Sequence, residues 1–261
     1  MKINNLVEQI FAQAVALDQS GGLRNTIYAI GHEIFILNYD HTVLLRFRLR
    51  QSEGTFEHPI SFKANDYDSN HFEEKDGRII FYSESESGEY LRKKVCGTTD
   101  LTAEEVKELY THFSTPSPDE KEREVVNLSK DVLQLLDSEL SHIEIAGEEG
   151  QQIKMIQRNI YSGGVIEVEK VNNGMFKEEL KTSFGPVAIK TDDFKALFNF
   201  QDVLVFAFPN RENEDFIVVT SGDKNKRSIT GIIACCLYDE IIQIKALRKT
   251  GAVSTKFNRR K

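Results

Sequence analysis

The first half of the chain begins with apolar residues at helical spacing and continues with short runs that are typical of strands. Apolar side chains recur every three or four positions, at Leu6, Ile10, Ala14 and Leu17. This spacing predicts an amphipathic helix over residues 3–17, which the two glycines at 21 and 22 end. Strands are predicted next, at residues 26–30, 33–38, 42–50, 57–62, 78–83 and 90–95. Residues 102–113 form either a short helix or part of a crossover.

The second half repeats this order of elements. Closely spaced apolar residues between positions 125 and 136 predict another helix with one buried face. A short helix is predicted at 192–198, and strands at residues 142–146, 152–158, 165–171, 181–189, 203–208, 216–220 and 229–236. Because neither half alternates strand with helix, the pattern indicates an α+β fold of mostly antiparallel strands rather than a Rossmann fold or a TIM barrel.

One short segment occurs at the corresponding point of both halves. Residues 60–67 and 187–194 share their apolar, lysine, aspartate and aromatic positions, and each leads into another strand. This match predicts an internal duplication. The predicted organisation is a first domain at 1–113, a connector at 114–124, a second domain at 125–240 and a tail at 241–261.

Charge is distributed unevenly along the chain. The full sequence has 33 lysines and arginines against 41 aspartates and glutamates, a net charge of −8. The tail holds seven basic residues and no acidic one, which leaves 26 basic against 41 acidic residues elsewhere, a net charge of −15. This balance is compatible with nucleic acid binding, because local patches decide such contacts. The tail is a second DNA contact, a partner-binding segment or a disordered extension.

The sequence lacks the patterns expected of membrane, secreted and common enzyme classes. No apolar run approaches the ~20 residues that a membrane helix needs, and Glu8 interrupts any signal-like start, so an intracellular protein is expected. There is no glycine-rich phosphate loop, no HExxH pair and no GxSxG elbow. Cys235 and Cys236 lie in an apolar run without a base nearby. We therefore expect no catalytic residue, metal ligand or cofactor, and interpret the chain as a non-enzyme.

Three stretches resemble the DNA sliding clamps, the ring-shaped processivity factors of DNA polymerases, and in size the two-domain PCNA type. Residues 38–49 look like the family's Asp-Ser-Ser-His-Val hairpin and following strand. Residues 140–143, Leu-Ser-His-Ile, match the family's segment at the same point of the second half. Residues 232–240 lie where clamps end with an apolar-Ala-Pro-x-Ile-Glu pattern, although Cys235 replaces the proline. The resemblance covers residues 1–240.

The resemblance implies a duplicated DNA-clamp fold, with antiparallel sheets outside and helices lining a ring. It implies a homotrimer that encircles double-stranded DNA without sequence preference and tethers DNA polymerase and other replication proteins, raising processivity. The strand at 90–95 in the first half and a strand of the second half are candidate edges for pairing between copies. Polymerase and clamp loader would bind through a hydrophobic peptide groove. The implied location is the bacterial or infected-host cytoplasm, or the nucleus of a eukaryote, and the weak identity favours a viral or phage origin.

The resemblance also implies two sets of site residues. The first helix has almost no basic residue after Lys2, so the DNA-facing candidates lie outside it: Lys63, Lys121, Arg123, Lys130, Lys190 and Lys195. The partner-binding candidates are apolar residues near the connector: Leu44, Ala234, Cys235 and Leu237. The alternatives are solubilising surface cations for the first set and ordinary core residues for the second.

Three other functions stay open at this point. One is a clamp-like processivity or transcription subunit that grips DNA without closing a ring. Another is a purely protein-binding adaptor with duplicated β domains, which would not stimulate a polymerase on DNA. A hydrolase is the most distant alternative.

Overall fold

The computed structural model divides into two compact units. It describes residues 5–21, 25–38, 41–69, 71–76, 78–115, 124–161, 164–172, 181, 184–199, 202–208, 216–221 and 229–234. The first unit comprises Met1–Pro116 with Asp223–Ile232, and the second comprises Ser117–Gly222 with Ile233–Lys261. The domain boundaries predicted from the sequence stay predictions, although the division between residues 116 and 117 falls inside the proposed connector.

The described residues of the first unit form two α-helices and seven consecutive strands, followed much later in the chain by most of an eighth. In chain order these are α1 (Asn5–Gly21), β1 (Thr26–Gly31), β2 (Glu33–Leu37), β3 (Val43–Arg48), β4 (Phe56–Lys63), β5 (His71–Lys75), β6 (Arg78–Glu84), β7 (Tyr90–Val95) and α2 (Ala103–Ser114). The predicted first helix and its strands are confirmed, and the alternatives at 102–113 resolve as helix α2. None of the helices in the described part of the chain has both the length and the apolar composition that a membrane crossing requires.

The second unit is built mainly of strands. It contains β8 (Glu124–Ser129), β9 (His142–Gly147), β10 (Lys154–Tyr161), β11 (Gly164–Asn172), β12 (Phe184–Lys190), α3 (Thr191–Leu197), β13 (Val203–Phe208) and β14 (Phe216–Ser221). The last described strand is β15 (Ile229–Ala234), whose residues through Ile232 belong to the first unit. Short 3₁₀ segments lie at Ala64–Asp66, directly after β4, and at Lys130–Leu135, directly after β8.

The helix predicted at 125–136 is wrong, because this stretch forms β8 followed by the 3₁₀ segment Lys130–Leu135. In β8 the side chains alternate: Val126 and Leu128 are buried, whereas Val125 is 50% exposed. That period of two belongs to a strand, and β8 pairs antiparallel with β13. A short, dense apolar run is compatible with both the helical period of about 3.6 residues and the strand period of 2, and the sequence prediction chose the helical one.

Strand β5 was missed by the sequence reading. Its sequence, His-Phe-Glu-Glu-Lys, offers one apolar residue, and only Phe72 is buried. The strand forms because its backbone pairs with β6 in the register His71↔Tyr82. Tertiary pairing here overrides a weak local preference.

Both units contain the same four-stranded arrangement. The strand order is β4-β1-β2-β3 in the first unit, where β15 lies beside β3, and β12-β9-β10-β11 in the second. All described pairings in these two sets are antiparallel. The first unit adds the sheet β5-β6-β7, and the second adds the order β14-β13-β8.

The duplication extends to the hydrogen bonds at the repeated segment. In each unit a strand ends at a lysine and a helical turn begins at the next residue. The N–H of Ala64 donates to the carbonyl of Asn25 over 2.8 Å, and the N–H of Thr191 donates to the carbonyl of Ser141 over 2.8 Å. Each acceptor lies directly before the first strand of the four-stranded set. The predicted internal duplication is therefore confirmed at atomic detail.

The main sheet of the first unit is covered by a helix on each face. Phe62 of β4 meets Phe11 of α1 with their ring centroids 5.3 Å apart. On the opposite face, Phe35 of β2 meets Tyr110 of α2 at 5.7 Å. Successive strand residues point to opposite faces, and the Ser61 hydroxyl accordingly lies 2.7 Å from Thr99, just before α2. We call these the α1 face and the α2 face of the sheet.

Helix α2 is fixed to its face by a cap and by charge. Thr102 and Glu105 form a reciprocal capping box at the helix start. The Arg46 guanidinium lies 4.5 Å from the centre of the Tyr110 ring, and Arg46 and Lys107 both pair with Glu33, at 3.4 and 2.9 Å. This network places a cation–π contact and two ion pairs at the helix–sheet contact.

Candidate functional site

Helix α1 presents no basic residue among its described side chains, and its half-buried Glu8 is acidic. Among residues 5–15, whose side chains are described, the buried set is Val7, Ile10, Phe11 and Ala14. The exposed residues are Asn5, Gln9, Ala12 and Gln13, and none of residues 5–15 is basic. The solvent face of α1 can therefore donate and accept hydrogen bonds, but it offers no positive charge to a phosphate backbone.

Lys63 lies on the α2 face, away from α1. Its Nζ donates to the Thr26 hydroxyl over 3.1 Å and lies 3.8 Å from a carboxylate oxygen of Asp100. The lysine side chain is 37% exposed and the aspartate 83%, so this ion pair is weak. If α1 faces DNA, the side chain of Lys63 points to the other side of the sheet.

Lys190 occupies the repeated position in the second unit. It ends β12 and lies opposite His142 of β9 in the strand register. Its charge acts on that histidine, whose Nδ1 lies 2.8 Å from the Ser141 hydroxyl. Burial, and then the Lys190 charge, lower the pKa of His142 to about 4. This histidine is therefore neutral at pH 7.

Lys130 and Lys195 lie on helical segments of the second unit. Lys130 is exposed at the start of its 3₁₀ segment, and its N–H donates to the carbonyl of Asp202 over 2.7 Å. That bond ties the segment to the chain just beyond α3, which carries the half-buried Lys195. These two candidates thus lie on neighbouring elements, whereas Lys121 and Arg123 fall outside the described residues.

The partner-binding candidates are only partly described. Leu44 in β3 is 5% exposed and lies two residues before Arg46, on the α2 face. Ala234 is the last residue of β15, while Cys235 and Leu237 lie outside the described part of the chain. A cavity of about 250 Å³ opens on the same face beside the start of α2, lined by Ser61, Thr99 and Ala103 among others. Sequence reasoning gave no sign of this cavity.

Strand β7 forms an accessible edge. It is the outer strand of β5-β6-β7 and, in the described part of the chain, pairs only with β6. Tyr90 and Leu91 are each 56% exposed, and the Tyr90 ring lies 4.7 Å from that of His71. The sequence predicted the strand and its candidate edge role. It did not predict that Tyr90 and Leu91 are exposed, because a strand's residue pattern does not show whether another element covers its side chains.

The titratable groups do not assemble a nucleophilic centre in the described residues. Ser141 and His142 touch, but the charge near the histidine is Lys190 rather than a carboxylate, and a pKa of about 4 makes it a weak base. Burial, and then Asp66, raise the pKa of the Cys96 thiol to about 12. The described part of the chain also holds no group of three or more His, Cys, Asp or Glu placed to bind a metal.

The shifted pKa of His142 predicts a pH-dependent stability. Its pKa is 6.5 in an unfolded chain and about 4 in the fold, so between these values the unfolded state binds more protons. The free energy of unfolding should therefore fall as the pH is lowered from about 6.5 to 4, by roughly 1–2 kcal/mol after allowance for solvent screening. Urea denaturation at several pH values measures this loss.

Two substitutions isolate the contribution of this histidine. His142→Gln should flatten the pH dependence of the unfolding free energy across this window. His58→Gln, at an exposed histidine, should leave the wild-type profile unchanged. A wild-type profile in His142→Gln would show that other groups cause the pH dependence.

Comparison with known proteins shows the fold. A beta clamp from Helicobacter pylori, in complex with 3,4-difluorobenzamide, superposes with a TM-score of 0.52 and 12% identity. The alignment covers 90% of this chain and 65% of that one, so the chain spans about two thirds of the clamp's length. No family model and no curated protein sequence matches the chain. The predicted fold class, α+β with duplicated DNA-clamp domains, is confirmed.

Two further solved structures are similar at lower scores. A PCNA2–PCNA3 complex from Sulfolobus tokodaii has a TM-score of 0.49 and 11% identity, covering 86% of this chain and 95% of that chain. The Proliferating Cellular Nuclear Antigen of Entamoeba histolytica has a TM-score of 0.47 and 8% identity, covering 87% and 95%.

Proposed function

We propose that this chain, which has the DNA-clamp fold, is a DNA sliding clamp. Copies of it close a ring around duplex DNA and tether DNA polymerase and other replication proteins, which raises processivity. The observation that carries the proposal is the repetition of one four-stranded arrangement, with its strand-to-helix junction, in both units. A ring of equivalent domains requires such a repeat.

The proposed assembly is a homotrimer joined through strand edges. A chain with two similar units gives six in a ring of three copies. The support comes from β7, whose outer edge pairs with no strand in the described part of the chain, and whose exposed Tyr90 and Leu91 suit backbone pairing with a second copy. Long edges of this kind are a liability in a monomer, and pairing between copies removes it.

The proposed hold on DNA is topological and needs little attraction. A closed ring cannot leave a circular duplex, so weak contacts with phosphates are enough. This fits a chain of net charge −8 whose first helix offers no basic residue among its described side chains. The proposed phosphate contacts are the basic candidates of the second unit and the connector: Lys121, Arg123, Lys130, Lys190 and Lys195. Lys63 is the weakest member of the original set, because it lies on the α2 face.

The proposed partners are a polymerase and a clamp loader that dock a hydrophobic peptide. Leu44 lies on the α2 face, and the remaining candidates are Ala234, Cys235 and Leu237. Aromatic side chains are the anchors that such a groove would bind best. We propose no catalytic step and no cofactor for this function.

Light scattering and DNA retention together test the proposal. We expect a species of three times 29.8 kDa that persists at low protein concentration. The protein should also stay, through a high-salt gel-filtration column, on a plasmid that is circularised by ligation after the protein has bound, and should be lost when that plasmid is then cut once. The cut plasmid is the matched control, because its sequence and charge are unchanged.

The outcomes separate the alternatives. A monomer at high concentration and low salt that still binds both plasmid forms equally would favour an open, clamp-like DNA-binding subunit. An oligomer that neither binds DNA nor stimulates any polymerase would favour the protein-binding adaptor. Either result would overturn the ring.

A further inference from the structure

We propose that a groove between β4 and β5 binds an extended, lysine- or arginine-bearing peptide segment of a partner protein, which adds to β5 as a further strand. The groove lies within the first unit, and its lining contains neither the DNA-facing nor the partner-binding candidates. The inference goes beyond the clamp function, because it assigns a different ligand to a different surface and holds whether or not a ring closes.

The groove is bordered by the outer strands of two sheets in the first unit. β4 is the outermost strand of the order β4-β1-β2-β3, and β5 is an outer strand of β5-β6-β7. The two sheets contact each other through Phe62 and Phe81, whose ring centroids lie 5.4 Å apart. Both strands line a cavity of about 610 Å³, with Glu57, His58 and Ile60 from β4 and Phe72, Glu73 and Glu74 from β5. Ligand sites typically measure about 300–1,000 Å³, so the groove is large enough to hold part of a peptide.

β5 offers a regular strand edge to such a peptide. All five of its residues pair with β6 without a register shift, and in the described part of the chain β5 pairs with no other strand. Its outward backbone N–H and C=O groups can therefore bond to an added strand. β4 is the poorer edge, because Pro59 has no N–H and the register with β1 shifts between Ala29 and Gly31. We therefore assign the peptide to β5.

The charges around the groove favour a basic peptide. Its described lining contains no lysine or arginine, nor does that of the cavity of about 250 Å³ that shares Ile60 and Glu74 with it. The two linings contain four exposed carboxylates: Glu57, Glu73, Glu74 and Glu104. Opposite charges on paired strands stabilise the pairing, and like charges destabilise it. A second copy's β5 in full antiparallel overlap would set the two Glu73 side chains opposite each other, and DNA is a polyanion, so both are disfavoured as ligands.

The order of side chains along β5 specifies the peptide. Phe72 and Glu74 lie two residues apart, so both project to the same side of the strand, whereas Glu73 projects to the other side. Phe72 is buried and the two glutamates are exposed. An antiparallel peptide with the order Lys-Lys-Val sets its lysines opposite Glu74 and Glu73 and its valine opposite Phe72. The expected ligand is therefore a short extended segment in which two adjacent basic residues precede an apolar, β-branched one.

Fluorescence anisotropy with the full-length protein tests the groove. The probe is a labelled peptide, acetyl-Ser-Thr-Lys-Lys-Val-Thr-Ser-amide, titrated at low ionic strength. The double variant Glu73→Gln, Glu74→Gln should bind it about tenfold more weakly. Glutamine keeps an oxygen that can accept the hydrogen bond that the Tyr82 hydroxyl donates to Glu73. The control variant Glu148→Gln, Glu149→Gln removes the same charge from exposed positions of the second unit and should bind the peptide as the wild type does.

Two methylated peptides separate strand addition from simple attraction between charges. Along a paired strand, the backbone N–H groups of successive residues point alternately toward the neighbouring strand and away from it. N-methylation of one of the two lysines should therefore weaken binding at least about tenfold, whereas N-methylation of the other lysine should leave the affinity unchanged. The two peptides carry the same charge, so each is the control for the other.

Several outcomes would overturn the proposal. Absence of binding up to about 1 mM peptide, equal losses in the two glutamate double variants, or equal binding of the two methylated peptides would exclude strand addition at β5. Glutamine at the seven basic positions of residues 241–261 should leave the affinity unchanged, and a rise in affinity would mean that this tail occupies the groove instead. A fall in oligomer mass on addition of the peptide would mean that a second copy occupies it. Peptide binding by a protein that forms no ring would leave the groove standing without the clamp.

Discussion

Replacement of Tyr90 and Leu91 by aspartate in one double variant is expected to convert the proposed trimer into monomers. Both side chains are 56% exposed on β7, so the substitution leaves the fold of the first unit intact. In a paired edge the same positions become buried, and each would place an unpaired carboxylate in an interface. We expect a loss of at least about 4 kcal/mol per interface, or about 1,000-fold in dissociation constant.

Light scattering at a fixed protein concentration measures this change in mass. The variant should run at 29.8 kDa and should no longer be retained on circular plasmid. Leu109→Asp is the control, because this leucine is 38% exposed on α2, a helix that packs on β1, β2 and β4. A double variant that keeps the mass of the wild-type oligomer would exclude β7 from the interface.

The second large effect is expected for Phe62→Ala in the core of the first unit. The Phe62 side chain is fully buried, and its ring contacts those of Phe11 and Phe81 at 5.3 and 5.4 Å in edge-to-face geometry. Truncation removes both contacts and leaves a cavity between α1 and the sheet. We expect a loss of about 4 kcal/mol in the free energy of unfolding.

This loss is a large part of the roughly 5–15 kcal/mol that holds a typical domain folded. Urea denaturation followed by circular dichroism measures it, in the Tyr90→Asp, Leu91→Asp background so that oligomerisation does not contribute. Phe62→Leu keeps most of the apolar volume and should cost about 1 kcal/mol. Equal losses in the two variants would contradict cavity formation as the cause.

All strands from β1 to β7 except β5 were predictable because their sequence and their environment agree. In β2 the residues from Ile34 to Leu37 are apolar and buried. In β3 the half-buried Arg46 and the exposed Arg48 interrupt the buried apolar residues, and this alternation marks a strand. The repeated segment was equally informative, since the same strand-to-helix junction forms at Lys63 and Lys190. In β2, in β3 and at these two junctions, the local residue pattern and the tertiary structure favour the same secondary structure.

The sequence predictions failed for segments whose secondary structure is determined by pairing with another strand. The residues of β8 have enough apolar positions for a helix, and pairing with β13 selects the strand. The acidic strand β5 forms only because β6 offers its backbone. The local residue pattern predicts neither of these two strand pairings.

The candidate site shows the same limit. The sequence predicted Lys63 as a candidate for the DNA face, but its contacts with Thr26 and Asp100 depend on the strand register and on which face the residue occupies. The low pKa of His142 depends on burial and on Lys190 across the strand pair. The residue types were visible in the sequence, whereas their pairing required the fold.

The membership of residues 223–232 in the first unit sets the order in which a growing polypeptide can finish folding. β3 acquires its neighbour β15 only after β8 to β14 have left the ribosome. Until then one row of β3 backbone donors and acceptors is unpaired, which is the state most open to misassembly. A gene fragment that stops in the connector would encode an unfinished sheet rather than a free-standing domain.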